Sequence, residues 1–213
     1  MRRLLVLLCA IAFSSSAQAK DDVPLVPIDL PFAPEAPAPL PPTHPLYHRI
    51  TLSSVSDMPA TVGASATMGL MAAAKRSSFE KGLRDTLDRL NMLAASDADA
   101  RFRLTPKWQG MDAPFRMSFS SRATVRMAWS LTRMDNGQEI FQRDIATSAE
   151  AKGGDGNRRS IGVGRVALMA NIASAALCLD KAAYGRAPQD CALTPQFKYQ
   201  APRPQTFIFH YRP

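Results

Sequence analysis

Nine prolines between Pro24 and Pro45 constrain the fold of this 213-residue chain more than any other feature. Proline has no backbone N–H to donate, and its ring favours extended polyproline II backbone, so such a stretch cannot pair in a sheet or build a core. We therefore predict a proline-rich disordered linker over residues 20–46, which acts as a spacer or, alternatively, as a recognition segment for a partner. The globular fold is then expected from the residues that follow.

The first nineteen residues have the three-part layout of a secretory signal peptide. Residues 1–3 are a cationic start, residues 4–13 are apolar, and residues 17–19 form a small-x-small cleavage site. The apolar run is too short to cross a bilayer. Cys9 follows leucines rather than the small residues that lipoprotein processing requires. We predict cleavage near Ala19 and a periplasmic or secreted chain that has no lipid anchor and no transmembrane segment.

The charge of the exported chain favours anionic partners. The full sequence has 26 basic and 18 acidic residues, and loss of Arg2 and Arg3 with the signal peptide leaves 24 against 18, a net charge of +6. A basic protein in the cell envelope is attracted to anionic lipid headgroups, although surface charge also serves solubility alone. Nucleic acid is excluded as a partner because the chain is exported and carries no recognised binding motif.

Two cysteines remain after signal cleavage, Cys178 and Cys191. In an oxidising compartment, two cysteines thirteen positions apart predict one disulfide bond. The alternative is a pair of separate buried thiols.

Apolar residues beyond residue 46 recur with the periods of strands and helices. This pattern predicts one α+β domain over residues 47–191, followed by a proline-containing C-terminal tail over residues 192–213. Because both helices and the strand around Trp129 must bury an apolar face, we predict an antiparallel-rich four-stranded sheet with two helices packed on one face, in the order β-α-β-β-β-α. The predicted strands cover residues 48–56, 101–109, 119–131 and 139–149, and the predicted helices cover residues 78–94 and 160–183. A short strand is also possible in the tail, at residues 197–199.

Local signals refine these elements. Ser77 and Glu80 form a capping box ahead of the first helix. Pro106 predicts an edge position or a break in its strand, since it cannot donate to a neighbouring strand. Residues 135–137 (Asp-Asn-Gly) predict a hairpin turn. Residues 166–179 contain only two polar side chains, so the second helix should be buried across the sheet.

Residue types that carry catalysis or bind metals are scarce. The three histidines, His44, His48 and His210, have no companion at ligand spacing, so we predict no metal site and no cofactor. No histidine lies in the predicted core to activate a nucleophile, and residues 161–165 lack the third glycine of a dinucleotide fingerprint. We predict that the chain is not an enzyme and has no catalytic residue. An exported enzyme of unknown class stays as a third reading, for which the loop carboxylates to check are Asp112, Glu139 and Asp155.

A row of arginines is the strongest candidate for a binding site. Four of them alternate with apolar residues on two adjacent predicted strands: Arg101, Arg103, Arg122 and Arg126. Their guanidinium groups suit phosphate and carboxylate, although an ordinary solvated sheet face has the same pattern. Arg158 and Arg159 lie beside the glycine-rich residues 153–157, where a helix N-terminus could present amides to an anion, unless this is a plain loop.

Several short sequence segments resemble those of the small periplasmic YajG-like and LPS-assembly-lipoprotein-like proteins. They are residues 79–87 (FEKGLRDTL), 100–104 (ARFRL), 123–127 (ATVRM), 136–141 (NGQEIF) and 170–172 (ANI). The likeness covers about residues 47–181. Members are usually lipid-anchored at the outer membrane, and this chain departs from them because it has no lipobox. The resemblance implies a non-enzymatic envelope module that binds a partner protein or lipid.

These observations predict an exported, non-enzymatic interaction or assembly module at the periplasmic side of the outer membrane. The expected partner is an envelope protein or an anionic lipid surface. The alternative function is binding of anionic lipid or glycolipid through a basic sheet face.

Overall fold

A computed structural model describes residues 37–63, 72–113, 120–153, 156–185 and 196–199. In chain order these residues form β1 (Ile50–Leu52), β2 (Thr61–Gly63), β3 (Ala72–Lys75), α1 (Arg76–Arg89), β4 (Phe102–Asp112), β5 (Ser120–Arg133), β6 (Glu139–Lys152), α2 (Gly156–Ala183) and β7 (Gln196–Tyr199). The predicted signal peptide, the linker up to residue 36, and Cys191 lie outside the described residues.

The main sheet has five strands in the order β1-β4-β5-β6-β7, and β2 and β3 form a separate antiparallel pair. Its centre is antiparallel, but β1 runs parallel to β4 and β6 runs parallel to β7. The prediction of a four-stranded, antiparallel-rich sheet in the order β-α-β-β-β-α is therefore wrong. The physical reason is that α1 lies between β1 and β4, and α2 between β6 and β7. Each helix takes the chain back across the sheet, so the next strand starts from the same end.

Alternation along the long strands places their apolar side chains on one face of the sheet. In β5, Ala123, Val125, Met127, Trp129 and Leu131 are all fully buried. α2 packs against β5 and β6 on this face and also contacts β3 and α1. Because it has neighbours on several sides, α2 is apolar around most of its circumference. It is long and apolar enough to cross a membrane, and 72% of its most apolar stretch is buried within the fold, as in a core helix.

A polar network inside this core ties α2 to the two central strands. The side-chain oxygen of Asn171 accepts a hydrogen bond from the Trp129 indole N–H at 2.9 Å. Its amide nitrogen donates to the Ile145 carbonyl at 3.0 Å and to the Thr147 hydroxyl at 3.2 Å. The Thr147 hydroxyl donates in turn to the Ala167 carbonyl at 2.8 Å. Every member of this network therefore has a partner, as a buried polar group requires.

Residues ahead of position 47 also pack onto the domain. The Leu40 N–H donates to the Leu90 carbonyl at 2.9 Å, and the Leu40 and Leu46 side chains are buried in the core cluster. The buried His44 ring lies beside Asp180 and Tyr184 near the end of α2. Packing thus begins before residue 47, within the segment whose prolines predict a linker. Proline prevents strand pairing, but it does not prevent leucines between prolines from filling a gap in a core.

The start of α1 differs from the capping-box prediction. Lys75 occupies the N-cap position, where its side chain makes no capping hydrogen bond, and the helix begins at Arg76. Glu80 accepts the backbone N–H of Val55 at 3.1 Å instead of reaching back to Ser77. The capping-box prediction is wrong because a tertiary partner replaces the local one. Glu80 thereby joins α1 to the segment that follows β1.

Pro106 lies within β4, which is not an edge strand. β1 pairs with β4 only as far as Leu104, so Pro106 lies just past the point where that pairing ends. The Ser56 N–H donates to the Pro106 carbonyl at 3.2 Å, and the Trp108 N–H donates to the Ser56 carbonyl at 2.9 Å. The ring thus occupies a place where β4 needs no donor on that side.

Candidate functional site

The face of the main sheet that points away from α2 is polar and open, and we call it the open face. It consists of the alternate side chains of β4, β5 and β6 that do not enter the core. Its charged members are exposed, while Thr105, Thr124 and Ser130 are half-buried between them. One long sheet surface therefore presents hydrogen-bonding and charged groups together.

The structure confirms that the two arginine-bearing strands are neighbours, and it separates the arginines along them. Arg103 is opposite Thr132, near the end of β5, whereas Arg122 is near its start. At ~3.3 Å per residue, the ten positions between Thr132 and Arg122 span roughly 33 Å. Arg126 is opposite Gly110, between these ends. The arginines thus form a spaced row along the open face rather than a cluster.

Arg103, Arg122 and Arg126 are exposed. Their side chains make no hydrogen bond or ion pair with any other residue of the described segments. By contrast, Lys107 lies 3.7 Å from the Asp57 carboxylate. Three guanidinium groups are therefore available to an outside anion.

Acidic side chains from β6 lie among these cations. Glu150 is directly opposite Arg122, and Asp144 is opposite Ala128, two residues along β5 from Arg126. The Asp144 carboxylate also accepts a hydrogen bond from the Gln109 amide at 2.8 Å. The open face consequently carries both signs of charge, with an excess of cations. Alternation along β4 and β5 alone does not predict this mixture, because Asp144 and Glu150 come from β6, a third strand.

The two arginines at the start of α2 have different surroundings. Arg159 is 3% exposed, and its guanidinium donates to the Ser121 hydroxyl at 3.0 Å and to the Gly153 carbonyl at 2.6 Å. These two hydrogen bonds connect the loop between β6 and α2 to the start of β5. Arg158 is exposed in the first turn of α2. Anion binding at this helix start stays a prediction, and residues 154–155 of the loop lie outside the described residues.

Cys178 lies in α2 and is almost completely buried. Because Cys191 lies outside the described residues, the predicted Cys178–Cys191 disulfide bond stays a prediction.

A cleft of about 650 Å³ lies at the end of the sheet where β4 begins and β5 ends. It is lined by Pro45, Ala100, Arg101, Phe102, Arg133, Met134 and Asp135. Arg133 and Asp135 form a two-pronged ion pair, in which the Arg133 Nε–H donates to the carboxylate at 3.0 Å. Hydrogen bonds from Arg133 hold the pKa of Asp135 below its usual value, and the same contact raises the pKa of Arg133. Because Arg101 lines the cleft, it belongs to this site as well as to the predicted row.

The acidic and histidine residues considered above as candidates for catalysis or metal binding do not come together in the described residues. Asp112 ends β4 and Glu139 begins β6, at opposite ends of the sheet, and both are exposed. Asp155 and His210 lie outside the described residues. The described segments contain no group of three or more histidine, cysteine or acidic residues that could hold a metal ion. The open face can bind an outside partner through charge and hydrogen bonds.

No protein-family model matches the chain, and no curated protein matches it either. Two solved structures that resemble it come from bacteria. Protein XCC0632 from Xanthomonas campestris, of family DUF330, has a TM-score of 0.47 at 10% sequence identity, covering 75% of this chain and 95% of that chain. A candidate lipoprotein from Caulobacter crescentus CB15 has a TM-score of 0.37 at 18% identity, covering 48% of this chain and 79% of that chain. The YajG-like naming stays a resemblance drawn from the sequence.

Proposed function

We propose that the chain is an exported envelope protein that acts as a non-enzymatic interaction module, with the open face as its docking surface. The observation that supports this most is the one-sided sheet: in the described residues, α2 covers the core side and no helix covers the other. The strands of the open face are 11 to 14 residues long, so the surface available to a partner is extended.

A protein partner suits the open face better than a uniform anionic surface does. Acidic Asp144 and Glu150 interrupt the cations, and a plain anionic bilayer would repel them. A partner with its own alternating charges can match both signs, and such complementarity confers specificity and register. The interleaved charges therefore favour an envelope protein as the first candidate.

Site-specific photo-crosslinking in intact cells tests this proposal. A photoreactive phenylalanine analogue replaces Thr105 or Ser130 on the open face, and Asp88 on the exposed side of α1 serves as the control position. We expect one envelope protein to be captured from both open-face positions and not from the control. The double change of Arg122 and Arg126 to glutamate should abolish capture by reversing two charges. Absence of open-face capture, or equal capture from Asp88, would contradict the proposal.

Binding of anionic lipid or glycolipid is the second candidate function. It is favoured by the three open-face arginines that make no side-chain hydrogen bond or ion pair with the described residues. Each near-surface cation contributes about 1 kcal/mol to attraction by an anionic membrane, and salt screens this contribution.

Co-sedimentation with liposomes tests whether the arginine row binds anionic lipid. The parent is compared with a variant in which Arg101, Arg103, Arg122 and Arg126 are all glutamine, on neutral and on anionic vesicles. Only the parent should sediment with anionic vesicles at low salt, and this binding should fall at moderate salt. Equal sedimentation of both proteins would refute a lipid role for the row.

A further inference from the structure

The cleft at the end of the sheet combines a cation with apolar walls. Arg101 precedes β4 and is exposed, and its side chain makes no hydrogen bond or ion pair with the described residues. Phe102, Pro45 and Met134 contribute the apolar part of the lining. The volume of about 650 Å³ falls within the roughly 300–1,000 Å³ that is typical of small-molecule sites.

The ion pair at the rim determines the charge that a ligand would meet. Asp135 is held by two hydrogen bonds from Arg133, so these two groups offset each other. Arg101 then remains as the net positive charge of the lining. Its planar guanidinium can donate two parallel hydrogen bonds to a carboxylate or phosphate.

An exposed apolar side chain lines the cleft, and a second one lies near it. Among the described residues, Met134 at 39% and Tyr184 at 59% are the exposed large apolar side chains. Met134 lines the cleft beside Pro45, and the ring of Tyr184 lies 4.9 Å from that of His44, the residue before Pro45. Met134 therefore contributes exposed apolar surface to the cleft itself.

From this geometry we infer that the cleft binds a small organic anion with an apolar body. Its carboxylate or phosphate pairs with Arg101, and its apolar part lies against Phe102, Pro45 and Met134. This site shares only Arg101 with the predicted arginine row, and it does not depend on the docking function proposed above.

Methyl NMR provides a direct test with octanoate as the probe. The chain is purified from periplasmic extract with ¹³C-labelled methionine methyls, and Met134 is assigned through a Met134→Leu variant. We expect the Met134 signal to shift saturably with octanoate, while the fully buried Met127 stays unchanged. Acetate and octanol, which carry only the charged or only the apolar half of the probe, should each shift Met134 far less at the same concentration.

Arg101→Gln should weaken octanoate binding by about 1.5-fold to fivefold, which is the range for one exposed ion pair. Arg103→Gln is the matched control, because this arginine lies two residues away and does not line the cleft. Melting curves of both variants should match the parent, since both side chains are exposed. The inference is overturned if Met134 shows no saturable shift, if Arg101→Gln binds as the parent does, or if both variants lose affinity equally. It is also overturned if acetate or octanol reproduces the full effect.

Discussion

Replacing Asn171 with alanine should destabilise the fold strongly, because this side chain connects α2 to both central strands. The change leaves the Trp129 indole N–H without a partner in a fully buried position, and it removes one bond each from Ile145 and Thr147. An orphaned buried donor costs about 1–3 kcal/mol, and the small cavity adds about 1 kcal/mol. We expect a loss of roughly 2–4 kcal/mol in the free energy of unfolding. At about 2–4 °C per kcal/mol, the melting temperature should fall by roughly 4–16 °C.

A double-mutant cycle separates the hydrogen bond from the packing. Trp129→Phe removes the indole donor, so Asn171→Ala should cost less in that background than in the parent. Urea unfolding of the four proteins measures a coupling that we expect at about 1–2 kcal/mol. Thr124→Ala is the control, because its hydroxyl bonds to Ser148 on the open face, outside this network. A loss of less than 0.5 kcal/mol for Asn171→Ala, or additive effects in the cycle, would refute the reasoning.

Three further predictions concern α2, the hairpin and the cysteines. Gly164→Ala should destabilise by about 1–3 kcal/mol, because the new methyl would lie 2.6 Å from the Ala73 Cβ and 2.7 Å from the Met111 Cε; the second change Ala73→Gly should recover part of the lost melting temperature, and no recovery would disprove the clash with Ala73. Because Arg133 lowers the pKa of Asp135, their pair contributes stability above about pH 4 and loses it as the pH falls through the folded pKa. Asp135→Asn should therefore melt below the parent at pH 7 and level with it in acid, whereas a gap that is independent of pH would speak against the linkage. Cys191→Ser should lower the melting temperature without abolishing the fold, since closing such a loop is worth about 3 kcal/mol; two free thiols in non-reducing mass spectrometry of the parent would reject the bond.

Patterns of neighbouring residues in the sequence correctly predicted several helices, strands and turns. The predicted strand at residues 139–149 is present as β6, and the helix predicted over residues 160–183 is present as α2, four residues longer at its start. The hairpin turn is confirmed at Gly137, whose φ of +70° is the left-handed conformation that glycine tolerates best. Alternation also placed Trp129 in the core and Arg126 on the opposite face. These outcomes depend only on residue spacing along one element.

Strand direction, strand partners and the filling of the core were decided by tertiary structure. Nothing in the three residues of β1 or the four of β7 indicates that they pair in parallel, because direction follows from where α1 and α2 return the chain. The prolines around Leu40 in the sequence predict a linker. The gap in the core that Leu40 fills is formed by residues far away in the chain, so the sequence does not show it.

The same distinction between local pattern and tertiary contact applies to the candidate sites. Alternation predicted that Arg103, Arg122 and Arg126 share a sheet face, since side-chain direction in a strand has a period of two residues. The acids of β6 beside them, and the cleft formed by Pro45, Arg101 and Met134, depend on strand order and on where loops meet. The sequence by itself therefore determined which side chains point outward, because that is a property of one strand. Which charges and apolar groups become neighbours was decided only by the tertiary structure, because that depends on contacts between residues far apart in the chain.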